Sequence, residues 1–328
     1  MIRAVVCGGG AMGRLHAGEY KTMGGVDLVG IVEPSAEVRG ALARDFDTRV
    51  EAVPDPFLGE CDVVSVCAPD HLHVPATLPW LANGARVLLE KPLATSTADG
   101  RDILAARRAP DDLMIGHILR FDPRVIRARE VVNSGQLGDL VQVEVWRSTT
   151  VSTGAHAAAR TSVAWFLGVH DADLVRFVTG LAAQSVQAAG RAIHSAHEDA
   201  VYTLVRYCSG AIGTMTNYWS LPDARPNRAQ AGLRVIGTAG AVEIELGHTD
   251  MLLVTGGHAV NPDTRFWPSA THTGQHNLSS EVAAFVQAAR DKAPTPISGE
   301  DGLAAVAVVE AIHESMRSGE RRAVGAEH

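Results

Sequence analysis

The sequence predicts an α/β protein with two domains: a doubly wound parallel sheet comes first, and an α+β domain with a large, mainly antiparallel sheet follows. The chain has 328 residues, which is more than one typical hydrophobic core needs. Over residues 1–120, short apolar runs alternate with helical patterns, as in a parallel sheet with helical crossovers. Beyond residue 180, strand-like runs follow one another, as in an antiparallel sheet. We therefore assign residues 1–120 and 121–328 to the two domains and leave open whether the last helices pack back on the first.

Each element of the first domain is recognised by the spacing of its apolar residues. The predicted strands are Ile2–Cys7, Val26–Val32, Asp62–Ala68, Arg86–Leu89 and Asp112–Gly116. The predicted helices between them are Ala11–Met23, Ala36–Phe46, Pro75–Ala82 and Ser96–Arg107.

The second domain begins with a different order of elements. A helix at Arg124–Ser134 and a strand at Val141–Arg147 precede a Ser-, Thr- and Ala-rich segment, 148–162, which we interpret as a loop. A helix over Ala164–Phe177 follows. The predicted strands after it are Ser185–Ala192, Ala200–Tyr207, Ala211–Tyr218, Gly232–Gly237, Ala241–Leu246 and Met251–Val254, and two helices end the chain.

Composition excludes several classes of function. The formal net charge is −8, and no cluster of Lys and Arg offers a surface for a phosphate backbone, so we expect no nucleic-acid partner. No apolar run approaches the length of a membrane span, and because the chain starts directly in a strand we expect no signal peptide. The four cysteines have no metal-site or redox spacing, which predicts a reducing, cytoplasmic setting.

A glycine-rich turn joins the first strand to the first helix. Residues 8–13 read Gly8-Gly9-Gly10-Ala11-Met12-Gly13, and this G-x-G-x-x-G spacing has the strand–turn–helix context of a Rossmann dinucleotide site. We expect Gly8, Gly10, Ala11, Met12 and Gly13 to bind the pyrophosphate at the helix N-terminus. Glu33 ends the second strand, where an acid accepts from the adenosine ribose hydroxyls and repels a 2′-phosphate. The predicted cofactor is therefore NAD, and NADP is less favoured.

Three further motifs identify the family that the chain resembles. Glu90-Lys91-Pro92 follows the strand at residues 86–89, the segment Cys67 to His73 follows the strand before it, and Gly168 to Leu174 lies in the second domain. Together they resemble the Gfo/Idh/MocA family, which includes glucose–fructose oxidoreductase-like and inositol dehydrogenase-like proteins. The resemblance covers nearly the whole chain. It implies an NAD-dependent oxidoreductase, with Ala68, Pro69, His73, Glu90 and Lys91 near the cofactor.

The resemblance also implies catalytic roles for three residues. Lys91 would donate to the substrate hydroxyl and stabilise the developing alkoxide, which an ammonium at the carboxyl end of a parallel strand can do. His170 would accept the hydroxyl proton, and Asp173, one helical turn later, would contact the substrate. The chain departs from the family where many members carry an aspartate four residues before the histidine. That position is Phe166, which predicts a drier pocket.

Weaker candidates for substrate contact are polar or aromatic residues of the second domain: Arg120, Trp146, His156, Asn217, Trp219 and His276. His71 and His73 lack further ligands at metal spacing, so we predict no metal.

These observations favour hydride transfer between a secondary hydroxyl of a sugar, cyclitol or related small molecule and the nicotinamide. Two alternatives stay open: an NAD-dependent glycoside hydrolase that uses transient oxidation, and a non-catalytic dinucleotide sensor. The family also commonly buries the second face of its antiparallel sheet between subunits, which implies a homodimer or homotetramer formed through the C-terminal sheet.

Overall fold

The computed structural model describes residues 1–247, 253–255, 258–261 and 276–325. The described chain divides into two compact units. The first comprises residues 1–118 and 276–303, and the second comprises residues 119–261, with the stated gaps, and 304–325.

The first unit contains a parallel sheet of six strands in the order β3-β2-β1-β4-β5-β6. The strands are β1 Ile2–Cys7, β2 Val26–Val32, β3 Val50–Glu51, β4 Val63–Val66, β5 Arg86–Glu90 and β6 Leu113–Gly116. The helices are α1 Ala11–Thr22, α2 Ala36–Phe46, α3 His73–Ala82, α4 Thr97–Ala105 and α8 Asn277–Asp291. Strand order reverses on either side of β1, which confirms the doubly wound sheet and places a ligand crevice at the carboxyl ends of β1 and β4.

Local sequence explains where these helices begin. The hydroxyl of Ser35 accepts a hydrogen bond from the Val38 N–H, and the hydroxyl of Ser96 accepts one from Asp99, so each serine caps a helix. Gly10 caps α1 without a side chain, which leaves the start of that helix accessible to an anion.

The second unit is built on a seven-stranded sheet in the order β12-β11-β7-β10-β9-β8-β15. Its strands are β7 Leu140–Thr150, β8 Ala183–Arg191, β9 Ala200–Tyr207, β10 Ile212–Leu221, β11 Ala229–Gly237, β12 Ala241–Glu245 and β15 Arg322–Ala323. All neighbours are antiparallel except β7 and β10, which run parallel, so the predicted mainly antiparallel sheet is confirmed. The predicted strand Met251–Val254 lies partly outside the described residues; β13 Leu253–Thr255 pairs with β14 His258–Val260.

The helices of the second unit are α5 Pro123–Asn133, α6 Val151–Ala158 and α7 Val169–Thr179, and α9 Gly299–Ser318 runs from the first unit into the second. In α9, Val306, Val309 and Ile312 are fully buried, and their three-residue spacing places them on one face of the helix.

Two local predictions for the second unit are wrong. The segment 148–162 is not a loop, because β7 continues to Thr150 and α6 occupies Val151–Ala158. Long-range contacts explain α6: Asp223 accepts from the Ser152 N–H and hydroxyl, and Gly154 lies against the Trp219 ring. Residues Ala164–Gly168 form a π-helical turn rather than the start of an α-helix, and such turns often occur at functional sites.

Candidate functional site

The glycine turn of the first unit has the geometry that a dinucleotide needs. Gly8 has φ +108°, and a Cβ there would lie 2.7 Å from the carbonyl oxygen of Cys67, so only glycine fits. A Cβ at Gly13 would collide with the Gly8 carbonyl, so helix α1 can approach the turn only with glycine at this position. A Cβ at Gly10 would meet nothing within 4 Å, so the space in front of this backbone is open to a phosphate. These residues therefore fit the predicted pyrophosphate site.

Glu33 lies beside the same turn. Its Oε2 accepts from the Gly9 N–H and its Oε1 from the Ser35 N–H, each at 2.8 Å. A carboxylate offers about four acceptor positions, so both oxygens can still accept from ribose hydroxyls. Arg39 stands in the same corner, where its Nη1 donates to the carbonyls of Glu33 and Pro34 at 3.0 and 2.6 Å. The sequence identified Glu33, but it did not show that Arg39 is held beside it.

The Glu-Lys-Pro segment follows β5 at the carboxyl edge of the parallel sheet. Glu90 is the last strand residue and is buried, while Lys91 is half-buried directly after it. The Lys91 N–H donates to Oε2 of Glu90 at 3.3 Å. Burial alone would raise the pKa of Glu90, but the hydrogen bond from His16 and the nearby charge of Lys91 act in the opposite direction, and the pKa is lowered. The result is a carboxylate held next to Lys91.

His73 and its neighbours brace this segment. Ala68 and Pro69 follow β4, and His73 begins α3, two residues before the predicted start of that helix. Nδ1 of His73 lies 2.6 Å from the Pro92 carbonyl oxygen and Nε2 lies 3.0 Å from that of Ala68. The His73 side chain is enclosed, so it positions the two loops rather than presenting a nitrogen to a ligand.

His16, Glu90 and Glu281 form a buried group whose potential ligand atoms lie within 4.8 Å of one another, the one such group among the described residues. Nε2 of His16 is 3.1 Å from Oε1 of Glu90. This distance is that of a hydrogen bond, and we interpret the contact as one. The sequence analysis missed both His16 and Glu281; the three-residue spacing of His16 from Gly13 on the first helix was the available signal for His16.

In the second unit, His170 lies in the first turn of α7 and is half-buried. Its two acidic neighbours are both engaged by arginines. Asp171 is fully buried; it pairs with Arg147 at 2.8 Å and accepts from Nδ2 of Asn217 at 2.7 Å. Burial raises the pKa of Asp171, although Arg147 and Asn217 act in the opposite direction. Asp173 is paired with Arg120, and both side chains are buried.

These pairs change the interpretation of several predicted contacts. The Arg120 guanidinium is occupied by Asp173 and lies 4.8 Å from the Phe177 ring centroid. Asn217 is 1% exposed, and its side-chain amide nitrogen donates a hydrogen bond to Asp171. Trp219 is equally enclosed and donates its indole N–H to Asp199. These contacts place Arg120, Asn217 and Trp219 in the packing of the second unit, and their contact with a substrate stays a prediction.

The remaining weak candidates are scattered. Trp146 lies on the face of the sheet opposite α7, because its neighbour Arg147 reaches Asp171 on α7 and successive strand residues point to opposite faces. His276 caps α8 in the first unit and is buried. His156 lies in α6, and its side chain is outside the described part of the structure. The ring centroids of Phe166 and Trp219 lie 6.2 Å apart, so Phe166 packs against another aromatic side chain.

A cavity of about 100 Å³ in the second unit lies between α7, the sheet and α9. Alanine and valine side chains form most of its wall, and none of the predicted site residues contributes to it. We therefore do not place chemistry there. Among the described residues, no helix is long and apolar enough to cross a membrane.

Comparison with known proteins agrees with this architecture. Residues 2–117 match the family model described as an oxidoreductase family with an NAD-binding Rossmann fold, and residues 125–243 match the GFO/IDH/MocA C-terminal domain. The chain is 27% identical to the rhizopine catabolism protein MocA of Rhizobium meliloti, with 98% of each chain covered. It is 24% identical to an inositol 2-dehydrogenase of the same species, covering 96% and 97%.

Among solved structures, GenD2 from gentamicin A biosynthesis, in complex with NAD, superposes with a TM-score of 0.83 at 27% identity and covers 99% of this chain and 97% of its own. The two family models together match more than two thirds of the chain, and each falls on one of the two sheets described above. The chain therefore belongs to the GFO/IDH/MocA family of oxidoreductases with an NAD-binding Rossmann fold.

Proposed function

We propose that the protein is an NAD-dependent dehydrogenase that acts on a secondary hydroxyl of a cyclitol or a related polyhydroxylated small molecule. The observation that carries the proposal is Lys91, a lysine at the carboxyl end of β5 with the buried carboxylate of Glu90 beside it. Ligands of doubly wound sheets bind at this edge. Relatives named inositol 2-dehydrogenase support the substrate class.

The cofactor we propose is NAD. Gly8, Gly10 and Gly13 would hold its pyrophosphate at the start of α1, and Glu33 would accept from the adenosine ribose. When bound, its nicotinamide supplies the hydride acceptor for an alcohol or the donor for a ketone. An acid at the position of Glu33 opposes a 2′-phosphate, although Arg39 beside it reduces that opposition.

Two residues of the chain then accept the hydroxyl proton and stabilise the negative charge on the substrate oxygen. Lys91 donates a hydrogen bond to the substrate oxygen and stabilises the negative charge that develops there as the C–H bond breaks. His170 accepts the hydroxyl proton, since a histidine titrates near neutral pH. Asp171 and Asp173 are already paired with arginines, so neither is assigned as the base.

The experiment is a substrate screen that follows NADH absorbance over inositols, sugars and sugar acids, with Lys91→Met as the paired variant. We expect Lys91→Met to bind NAD as tightly as the unmodified protein does. Its kcat should be lower by a factor of about 10²–10³, the effect of removing one electrostatic donor from a site that excludes water. More than a tenth of the activity remaining would contradict the role of Lys91. Turnover of a glycoside without net NADH would instead indicate the hydrolase alternative.

We further propose a homodimer or homotetramer that forms through the face of the second sheet opposite α7. Tyr202, Leu204 and Ile212 on β9 and β10 are 58%, 44% and 48% exposed on this face. Beside them, Arg234 bridges Glu144 and Glu243. An apolar patch with a polar margin is typical of a subunit interface. Sedimentation of Leu204→Glu should show a smaller particle than the unmodified protein, and an unchanged particle would exclude this face.

A further inference from the structure

Lys91 stands between two residues that are each held by a buried histidine. The residue before it, Glu90, is bonded through its side chain to His16. The residue after it, Pro92, is bonded through its carbonyl oxygen to His73. His16 is 0% exposed and His73 is 1% exposed, so neither ring is open to solvent.

The His16 contact belongs to a directed chain of hydrogen bonds. The Tyr20 hydroxyl lies 2.7 Å from Oγ of Ser65, and that oxygen lies 3.0 Å from Nδ1 of His16. Nε2 of His16 lies 3.1 Å from Oε1 of Glu90. Because a carboxylate only accepts, Nε2–H of His16 must donate to Glu90, and Nδ1 then accepts from Ser65. Each donor in this chain has an acceptor when the ring is neutral.

Glu90 has little freedom inside this arrangement. A Cβ on Gly116 would lie 3.3 Å from its Cα and from its carboxyl group, so β6 passes directly against it. Its second oxygen accepts from the Lys91 N–H, and Glu281 approaches the same cluster from α8. His16 therefore holds the carboxylate that meets the backbone of Lys91.

His73 acts on the other side of Lys91. Burial lowers the pKa of His73, with the two carbonyl contacts opposing that effect, so the ring is neutral at neutral pH and has one N–H to donate. The closer acceptor is the Pro92 carbonyl oxygen, 2.6 Å from Nδ1, against 3.0 Å between Nε2 and the Ala68 oxygen. The Nδ1–H form therefore ties Pro92 to the start of α3.

We propose that His16 and His73 are positioning residues for Lys91: His16 orients it through the Glu90 carboxylate, and His73 anchors the Pro92 that follows it. The inference rests on the proposed function, in which Lys91 meets the substrate. Each histidine acts through one particular nitrogen, Nε2 in His16 and Nδ1 in His73. That difference separates positioning from simple packing.

Asparagine and glutamine provide the matched variants, because the amide nitrogen of Asn occupies the place of Nδ1 and that of Gln the place of Nε2. At position 16, His16→Gln keeps the donor to Glu90 and His16→Asn loses it. At position 73, His73→Asn keeps the donor to Pro92 and His73→Gln loses it. We expect His16→Asn and His73→Gln to lower kcat by about 10- to 100-fold, the scale of a small misplacement of a reacting group. The other two variants should retain most of kcat, and all four should bind NAD within about threefold of the unmodified protein.

A second measurement needs no turnover. An amine-reactive ester acylates a neutral lysine, and peptide mass spectrometry reports the rate at Lys91. The charge of Lys91 lowers the pKa of Glu90, so the two groups interact, and a Lys91 side chain that moves away from this carboxylate should react about three- to tenfold faster. The acylation rate at Lys91 should increase in His16→Asn and His73→Gln. It should not increase in the matched variants His16→Gln and His73→Asn. This readout stands even if the chain proves not to be a dehydrogenase.

The inference requires that Asn and Gln have opposite effects at positions 16 and 73. If Asn and Gln behave alike at each position in both assays, the histidines only fill space and the inference is wrong, while the proposed function survives as long as Lys91→Met is inactive. If the histidine variants do not fold, a comparison of two substitutions at Glu90 tests the inference instead. Glu90→Gln keeps an oxygen for His16 and should retain more activity than Glu90→Leu; equal activities overturn the proposal.

Discussion

Asp173 and Arg120 form a buried, bidentate ion pair. Nε of Arg120 donates to Oδ2 of Asp173 at 3.0 Å and Nη2 donates to Oδ1 at 2.5 Å. The two side chains are 1% and 7% exposed. The pair joins the segment just before α5 to the middle of α7, the helix that carries His170.

The first prediction follows from this burial. Asp173→Asn leaves Arg120 charged and enclosed, and breaking a buried pair typically costs about 3–5 kcal/mol of unfolding free energy. Urea unfolding measures it. The matched control is Glu130→Gln, which breaks the exposed Arg127–Glu130 pair and should cost about 1 kcal/mol or less. If Asp173→Asn is as stable as the control and only KM for substrate rises, Asp173 contacts the substrate directly.

The second prediction concerns cofactor choice at Glu33. NAD should bind more tightly than NADP by about 2–3 kcal/mol, because a 2′-phosphate would approach a carboxylate. Glu33→Ala should narrow this difference, mainly by weakening NAD. Arg39→Ala is the control: it removes the cation beside Glu33 and should widen the difference. Fluorescence titration with both cofactors measures it, and equal affinities in the unmodified protein would refute the prediction.

The third prediction concerns His170 as the base. Arginines are paired with both acidic neighbours, and we expect the acidic limb of the pH profile of kcat/KM to report the titration of the proposed base, His170. His170→Ala should remove that limb and slow the reaction by about 10²–10⁴. His313→Phe, which removes a different histidine of the second unit, should keep the limb. An acidic limb that persists in His170→Ala would assign the base to another group, with Lys91 the first to test.

The fourth prediction concerns stability at mildly acidic pH. Burial lowers the pKa of His313, which stacks on Trp165 at 5.6 Å; Glu198 opposes the shift, while Arg317 and His197 reinforce it. Between this lowered pKa and the unfolded value of about 6.5, the unfolded chain binds more protons than the folded one. Stability should therefore fall as pH drops below about 6.5 and level off below the folded pKa.

His313→Phe keeps an aromatic ring on Trp165 and removes the titration. Between about pH 7.5 and about pH 5, the Tm of this variant should decrease less than the Tm of the unmodified protein. The comparison uses the change with pH and not the absolute stability, because the variant also loses the 2.9 Å contact with Ser162. An identical change in both proteins would show that His313 does not contribute.

The sequence by itself determined the elements that depend on local chemistry. Glycine spacing at Gly8, Gly10 and Gly13 requires a tight turn wherever it occurs after a strand, and the structure shows the turn. Period-two and helical patterns likewise predicted both sheets and most helices, because one face of each element must be buried. The sequence indicated Glu33 and Lys91 as site candidates because the end of a parallel strand is a fixed place in the fold, and their roles stay predictions.

Tertiary structure alone decided which side chains meet. The sequence shows Asp171 and Asp173 on one short segment, but only the structure shows that Asp171 pairs with Arg147 on β7 and Asp173 with Arg120 before α5. The helix α6 was missed because its composition is that of a loop, and contacts with Asp223 and Trp219 hold it in place. His16 and Glu90 are 74 residues apart in the chain and 3.1 Å apart in space. The physical reason is that a buried polar group must find a partner, and packing between distant segments determines which partner it finds.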